Sequence, residues 1–343
     1  MVSTRPILII HQGALGDLML SLPALYSLRL FFDKVPWTVA GNPATLELLH
    51  TRFYAGEMIS STGREWSGLY MDGGTIPEAF RLTLSSFQKV FIFSKDSSQI
   101  FINGLKRAGL KAIFHLPSFP DERSGQTIEV LQKNCLSRWG IPWVERDQVL
   151  FPSREDLSRA REKLFHLGLN PEGGDRLWAI HPGSGSPHKN WPINRFLEVA
   201  DKLSGGNKIK PLFLLGPVEK EIQPPMVRLI KSLGVPLLTD LALPELSGIL
   251  YTCAGLLGND SGVSHLAAAL GKPAVVLFGP TDPLLWRPKG KRVKILSPSP
   301  ACAPCPQVEM RGCDEKSCLD SITVREVLAA ISAAGTDQPV QTK

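Results

Sequence analysis

Residues 258–283, GNDSGVSHLAAALGKPAVVLFGPTDP, constrain this chain more than any other stretch. An apolar run over 254–257 ends in a Gly-Asn-Asp-Ser-Gly turn. The pattern then predicts a short helix over 263–270 and a buried strand over 274–278, which closes in a second polar loop. Both loops are expected at the carboxyl edge of a parallel sheet, where open α/β folds bind ligands. Asp260, Ser261 and Gly262 precede the helix, so backbone amides and the helix dipole face an anion such as a phosphate. A well-capped helix in an ordinary αβ unit accounts for Asp260 or Ser261 equally well. His265, one turn in, reads as an exposed residue that packing does not explain.

With 343 residues, the chain exceeds one typical domain and predicts two, of about 150 to 170 residues each. A hydrophobic content of 43% with 20% charged residues fits a soluble globular protein with ample core. The longest apolar runs, 6–10 and 274–278, are strand-sized, far short of the roughly 20 residues of a membrane span. The apolar start has no small-residue cleavage site, so no signal peptide is read and a cytoplasmic location is expected. The net charge of +6 suits a phosphorylated ligand or an anionic membrane surface. Nucleic acid is not an expected partner, because no basic run interleaved with aromatics and no zinc-finger or RNA-binding signature accompanies that charge.

The first strand, 7–11, enters a turn, QGALGD, and an apolar helix over 18–31. Gly13 and Gly16 allow close backbone approach, but the turn is not the GxGxxG of dinucleotide folds, which argues against a dehydrogenase. Asp17 stands at the helix start, where a carboxylate can take a proton from a bound hydroxyl. The same position suits a plain first-turn acid favoured by the dipole. Strands and helices alternate through the first half, and residues 61–76, rich in Gly, Ser and Thr, read as a mobile loop or an acceptor-side insertion. Residues 168–176, GLNPEGGDR, read as the linker, giving domains 1–170 and 171–320, a helix over 321–334 and a disordered tail over 335–343.

The second half repeats the pattern. Its first strand is followed by HPGSGSPHKNWP, residues 181–192, in which small residues let amides approach an anion and Lys189 supplies a point charge. This is not a Walker loop; its other reading is a glycine-rich connection with a solvated lysine. Glu219, beyond the next strand, either approaches a ribose or is a solvated helix-start acid. Four of six cysteines cluster as Cys302-x2-Cys305-x7-Cys313-x4-Cys318, a grouping that in a cytosolic chain favours a structural zinc or unpaired thiols over disulfides. The intervals are not those of a standard zinc ribbon, and no His/Asn constellation supports a catalytic cysteine.

Three blocks together carry a resemblance: GALGD (13–17) with PAL (23–25), HPG (181–183) with KNWP (189–192), and DSGVSHLAAA (260–269) through LFGPTDP (277–283). They resemble the heptosyltransferases of lipopolysaccharide inner-core synthesis, and the cysteine-bearing tail and last helix extend the likeness over nearly the whole chain. The resemblance implies an α/β GT-B fold, two Rossmann-like domains facing a central cleft, with the terminal helix returning to the N-terminal domain. It implies an inverting, metal-independent transfer of heptose from ADP-L-glycero-D-manno-heptose to a hydroxyl of a lipid-linked core oligosaccharide, at the cytoplasmic face of the inner membrane, with no cofactor. On that reading Asp17 is the general base and Lys189 holds the diphosphate. Ser184, Ser261 and Gly262 attend phosphate oxygens, Asp260 contacts sugar hydroxyls, His265 and Thr281 stand close by, Glu219 meets the ribose, and domain closure brings Asp17 to the donor. The absence of an Asp-x-Asp motif agrees with a lysine and helix amides neutralising the leaving diphosphate. The alternatives are a GT-B enzyme for another nucleotide sugar and a non-catalytic nucleotide-sugar binder of the same fold.

Overall fold

The structure, a computed structural model, describes residues 5–95, 99–205, 209–216, 224–297, 302–305, 313 and 317–336. The chain forms two compact units, Met1–Phe151 and Pro152–Lys343.

In the first unit, β1 (Ile7–His11), β2 (Trp37–Gly41), β3 (Glu57–Ser60), β4 (Lys89–Ser94) and β5 (Ile113–Pro117) form a parallel sheet in the order β3-β2-β1-β4-β5. Strand β1 is buried along its whole length, which is why it reads as a continuous apolar run rather than an alternation. The helices are α1 (Leu15–Phe31), the short α2 (Pro43–Leu46), α3 (Glu78–Ser85), α4 (Gln99–Arg107) and α5 (Ile128–Arg138). Residues 61–76 are not a loose loop. They contain a 3-10 turn, Arg64–Leu69, whose Trp66 and Leu69 enter the core beside Phe80 and Leu84. Trp66 Nε1 donates to Ser60 O at 2.9 Å. Gly104 on α4 makes this docking feasible, since a β-carbon there would lie 2.4 Å from Leu69 O.

The second unit begins earlier than the sequence suggested. Helix α6 (Arg154–His166), opened by a capping box in which Ser153 and Asp156 exchange hydrogen bonds, packs on α9 (Leu243–Thr252). Gly248 of α9 permits that contact, because a β-carbon there would sit 2.4 Å from Asp156 O. Residues 168–176 are therefore an internal connection containing a short turn, Pro171–Gly173, and the division falls at Phe151. The sheet contains β6 (Leu177–His181), β7 (Lys210–Leu215), β8 (Leu237–Thr239), β9 (Gly255–Asn259), β10 (Ala274–Leu277) and β11 (Val293–Leu296). Its order is β11-β10-β9-β6-β7-β8, all parallel. The remaining helices are α7 (Ile193–Gly205), α8 (Pro224–Ser232), α10 (Gly262–Ala269), α11 (Pro283–Trp286), α12 (Ser317–Asp320) and α13 (Val324–Thr336). Val327 and Ile331 of α13 are buried in the second unit's own core with Trp191, Phe196 and Leu277. Of the predicted tail, 337–343 lie outside the described residues.

Candidate functional site

Strand order reverses between β6 and β9, which pair with His181 opposite Gly258. The loops leaving their carboxyl ends, 182–192 and 259–262, therefore emerge side by side at the switch point of the sheet, the usual ligand crevice of open α/β folds. Asn259 fastens them together. Fully buried, it accepts from Trp191 N–H at 3.0 Å through Oδ1 and donates to Pro182 O at 2.7 Å through Nδ2. Gly258 must be small, because a β-carbon would stand 2.8 Å from Ser264 Oγ, the hydroxyl that donates to Asn259 O.

Asp260 is the electrostatic centre. Its Oδ2 takes Lys189 Nζ at 2.8 Å and the Thr281 hydroxyl at 2.6 Å, while His265 Nε2 stands 3.9 Å from Oδ1, beyond hydrogen-bond range but within electrostatic reach. Burial by itself would push this carboxyl up. The His265 ring, the Lys189 ammonium and the Thr281 hydroxyl outweigh it and hold the pKa at about 2. The group is a carboxylate at any physiological pH. His265 is buried, which corrects its reading as an exposed residue: it is sheltered behind Asp260 on α10. Ser261 is the N-cap of α10, its Oγ accepting from Ser264 N–H at 3.4 Å, and Gly262 is the first helical residue. The ordinary capping role and an anion-facing position thus coexist, because the cap uses the side chain and leaves other first-turn amides at the crevice.

Ser184 lies in the same loop as Lys189 but its hydroxyl is engaged within it. Oγ stands 2.6 Å from both Ser186 O and Asn190 Oδ1 and accepts from Ser186 N–H at 3.2 Å. Its single proton serves one acceptor at a time, so Ser184 shapes the turn that presents Lys189. Glu219 lies outside the described residues.

Asp17, on the first unit, is the third residue of α1, and its Oδ2 accepts from Ala14 N–H at 2.9 Å. Gly16 occupies the same helical turn. Gly13 is dictated by Asp17, since a β-carbon at 13 would lie 2.5 Å from Asp17 Cβ. Asp17, Gln12, Tyr70, Lys95 and Phe119 line a cavity of about 430 Å³ at the carboxyl edge of this sheet, beside the Tyr70–Phe101 ring stack. Ser118 also lines it; it is fully buried, and its Oγ has no hydrogen-bond partner among the described residues.

The sequence reading missed the support beneath Asp17. His11, at the end of β1, is buried, and burial lowers its pKa to about 4 against a smaller upward pull from the Asp17 backbone, so the ring is neutral. Nδ1 accepts from Gly13 N–H at 3.3 Å, which leaves the proton on Nε2 to donate to Ser21 Oγ at 3.3 Å. Ser21 donates to Asp17 O at 2.9 Å, and Gln132 of α5 donates to Ser21 Oγ at 3.3 Å and to Pro117 O at 2.8 Å. The available signal was a histidine closing an apolar strand.

With this geometry in view, comparison with known proteins places the chain. The model of glycosyltransferase family 9 (heptosyltransferase) matches residues 126–313, more than half of the chain. The chain belongs to glycosyltransferase family 9. It is 29% identical over 146 residues to lipooligosaccharide heptosyltransferase 2 of Haemophilus influenzae, a match covering 41% of this chain and 41% of that protein. The chain thus spans about two fifths of the length of this curated relative. Among solved structures it is similar to a family 9 glycosyl transferase from Veillonella parvula (TM-score 0.77, 20% identity, 98% and 99% of the two chains). It is also similar to Escherichia coli heptosyltransferase WaaC with ADP (TM-score 0.66, 18% identity, 96% and 99%). At those identities the likeness shows the fold, the two-domain GT-B architecture.

Proposed function

We propose that this family 9 member is a heptosyltransferase of lipopolysaccharide core synthesis, moving heptose from ADP-L-glycero-D-manno-heptose to a hydroxyl of a lipid-linked core sugar with inversion at the anomeric carbon. The observation that carries the reading is the Lys189–Asp260–Thr281 cluster beside the start of α10, at the switch point of the second sheet and inside the family 9 region. On this reading the Lys189 ammonium and the first amides of α10 receive the diphosphate, and Asp260 Oδ1 accepts from donor hydroxyls. The acceptor oxygen attacks the anomeric carbon while the Asp17 carboxylate takes its proton. The bond from that carbon to the diphosphate breaks with both electrons, and ADP leaves with its charge met by Lys189 and the helix amides rather than by a metal. The cavity beside Asp17 is the acceptor pocket. Asp17 belongs to the first unit and the donor set to the second, so the reaction requires acceptor and donor to meet in the ternary complex.

The net charge of +6 supports peripheral work at an anionic inner-membrane surface, where a lipid-linked acceptor resides. No helix among the described residues is long and apolar enough to cross a membrane. The purified full chain, given ADP-heptose and truncated core acceptors, is expected to release ADP and add one heptose by mass. ADP release from no heptose donor, with turnover of a different nucleotide sugar, would replace the donor; donor binding without turnover on any acceptor would leave a nucleotide-sugar binder.

A further inference from the structure

The amino edge of the second sheet, opposite the crevice of Lys189 and Asp260, carries a basic rim. Arg176 directly precedes β6, Lys210 opens β7, Lys272 stands two residues before β10 and Arg292 directly precedes β11. In the sheet order β11-β10-β9-β6-β7-β8 these four bases flank the start of β9, two on each side. A cavity of about 740 Å³, large enough for a small organic ligand, opens there between α6, the 171–176 connection and the end of α9. Arg161, Arg176 and Lys272 supply cations to its wall, and Leu157, Leu177 and Tyr251 supply apolar surface.

The two carboxylates of the wall are paired. Glu172 lies 2.8 Å from Arg161 Nε, and Asp175 lies 2.7 Å from Lys210 Nζ. Lys272 has no carboxylate partner among the described residues; its half-buried ammonium stands over the Tyr251 ring, 5.3 Å from the centroid. The charged and titratable groups that act on it are Cys253 and Arg292. Cys253 is fully buried, and burial pushes its thiol up to about 12, so it gives no counter-charge. Arg292 is a second cation, its buried Nε without a hydrogen-bond partner among the described residues. Burial is the main effect that lowers the Lys272 pKa, and Arg292 adds to it against an upward pull from Cys253. The carboxyl ends of α9 and α10 also reach this edge, Lys272 N–H donating to Ala267 O at 3.1 Å. Each helix end carries about half a negative charge, so one lysine suffices for both. Lys272 together with Arg292 exceeds that, and a desolvated cation without a counter-ion is costly until an anion joins it.

We infer that this cavity is a second anion site, separate from the donor crevice, and that its ligand is a soluble phosphorylated small molecule. The phosphate dianion meets the Lys272 ammonium and the Arg176 guanidinium, a point charge and a planar fork that suit phosphate oxygens. The organic body lies against Leu157, Leu177 and Tyr251. Nothing in this assignment depends on the transferase reading.

The test titrates the full chain with inorganic phosphate and with ribose 5-phosphate at constant ionic strength, following hydrogen exchange. Both probes should slow exchange at residues 174–177, 251–254 and 271–272, and ribose 5-phosphate should do so at a concentration lower by about threefold or more. Phosphate also meets Lys189 under the proposed function, so Lys189→Ala is the control and should keep the amino-edge protection. Lys272→Met should lose it, with affinity down at least about tenfold, and Lys272→Arg should keep it within about threefold. In phosphate-free buffer Lys272→Met should unfold at the parent's temperature or above, because it removes an uncompensated ammonium. A lower unfolding temperature for Lys272→Met, with no protection of the parent by either probe, makes Lys272 a helix-end group and overturns the site. Protection that persists in Lys272→Met overturns it as well. Equal potency of the two probes overturns the organic body. Co-sedimentation with phosphatidic acid vesicles that Lys272→Met abolishes would assign the phosphate to a lipid headgroup and overturn the soluble ligand.

Discussion

At the residue scale, two buried titrating groups give the protein separable acid responses. Asp260 titrates at about 2 when folded against an ordinary 3.8. Its contribution is therefore complete above pH 4 and is lost as pH falls toward 2, and at about 1.4 kcal/mol per pH unit it amounts to about 2 kcal/mol. Asp260→Asn keeps a partner for Thr281 but leaves Lys189 without its counter-charge. Because Lys189 is 24% exposed, the loss at pH 7 is expected near 1–3 kcal/mol rather than the 3–5 of a fully buried pair. In urea unfolding the gap between parent and variant should close as pH approaches 2; a gap that does not depend on pH would remove the ion pair as its cause. His11 acts in a higher window. It titrates at about 4 folded and 6.5 unfolded, so between these values the unfolded chain binds a proton that the folded chain refuses. Stability should fall by about 3 kcal/mol as pH drops from 6.5 to 4, and His11→Gln should flatten that limb of the profile. Asp17 is judged by kinetics instead. Asp17→Asn should leave donor affinity nearly unchanged and cut turnover about 100-fold or more, and turnover equal to the parent's would take Asp17 out of the base role.

At the element scale, the loops after β6 and β9 act as one unit because Asn259, where the second loop begins, bonds twice to the first. Asn259→Ala removes two hydrogen bonds and strands Pro182 O and Trp191 N–H in a dry interior, an expected cost of about 2–4 kcal/mol. Donor affinity should weaken with it, because Lys189 lies two residues before Trp191. Stability loss with unchanged donor affinity in calorimetry would confine Asn259 to folding. This residue also shows what the sequence disclosed and what it hid. The central strands β1, β6 and β10 were legible because both their faces are covered, so each reads as an apolar run, whereas the edge strands β3 and β11 are only partly buried and lack that pattern. The loops after β6, β9 and β10 were legible because glycine and small polar residues gather where strands end, and Lys189, Asp260, Thr281 and His265 do assemble there. What stayed hidden depends on partners distant in sequence. Asn259 looked like one more turn residue, His265 looked exposed until Asp260 was seen beside it, and His11 pairs with a glutamine 121 positions away through Ser21. The division at Phe151 was hidden for the same reason, since α6 joins the second unit through its packing on α9, where Gly248 lets the backbones approach. Residues 61–76 have loop composition, yet a single tryptophan anchors them in the core.

At the scale of the whole molecule, the second unit is closed by its own carboxyl end. Helices α12 and α13 and the turn between them bury Leu319, Ile322, Val327 and Ile331 against a core that includes Trp191 and Phe196. Trp191 Nε1 donates to Ile322 O at 3.1 Å, and Arg195 reaches the carbonyls of Asp320 and Ile322 at 2.6 and 2.8 Å. These bonds hold the first turn of α7, directly after the Lys189 loop. At about 1.5–3 kcal/mol for each fully buried aliphatic side chain, the four residues contribute roughly 6–12 kcal/mol as an upper figure, comparable to the whole stability of a domain this size. A chain ending at residue 316 should therefore lose the second unit's cooperative transition outright, not merely melt a few degrees lower. The first unit encloses a separate core around Leu8, Ile10, Trp66 and Ile92, so its transition should survive. Calorimetry of this chain beside one ending at residue 336 resolves the question. If the 316 chain retains both transitions, α13 is a peripheral covering; if it loses both, the two units fold as one.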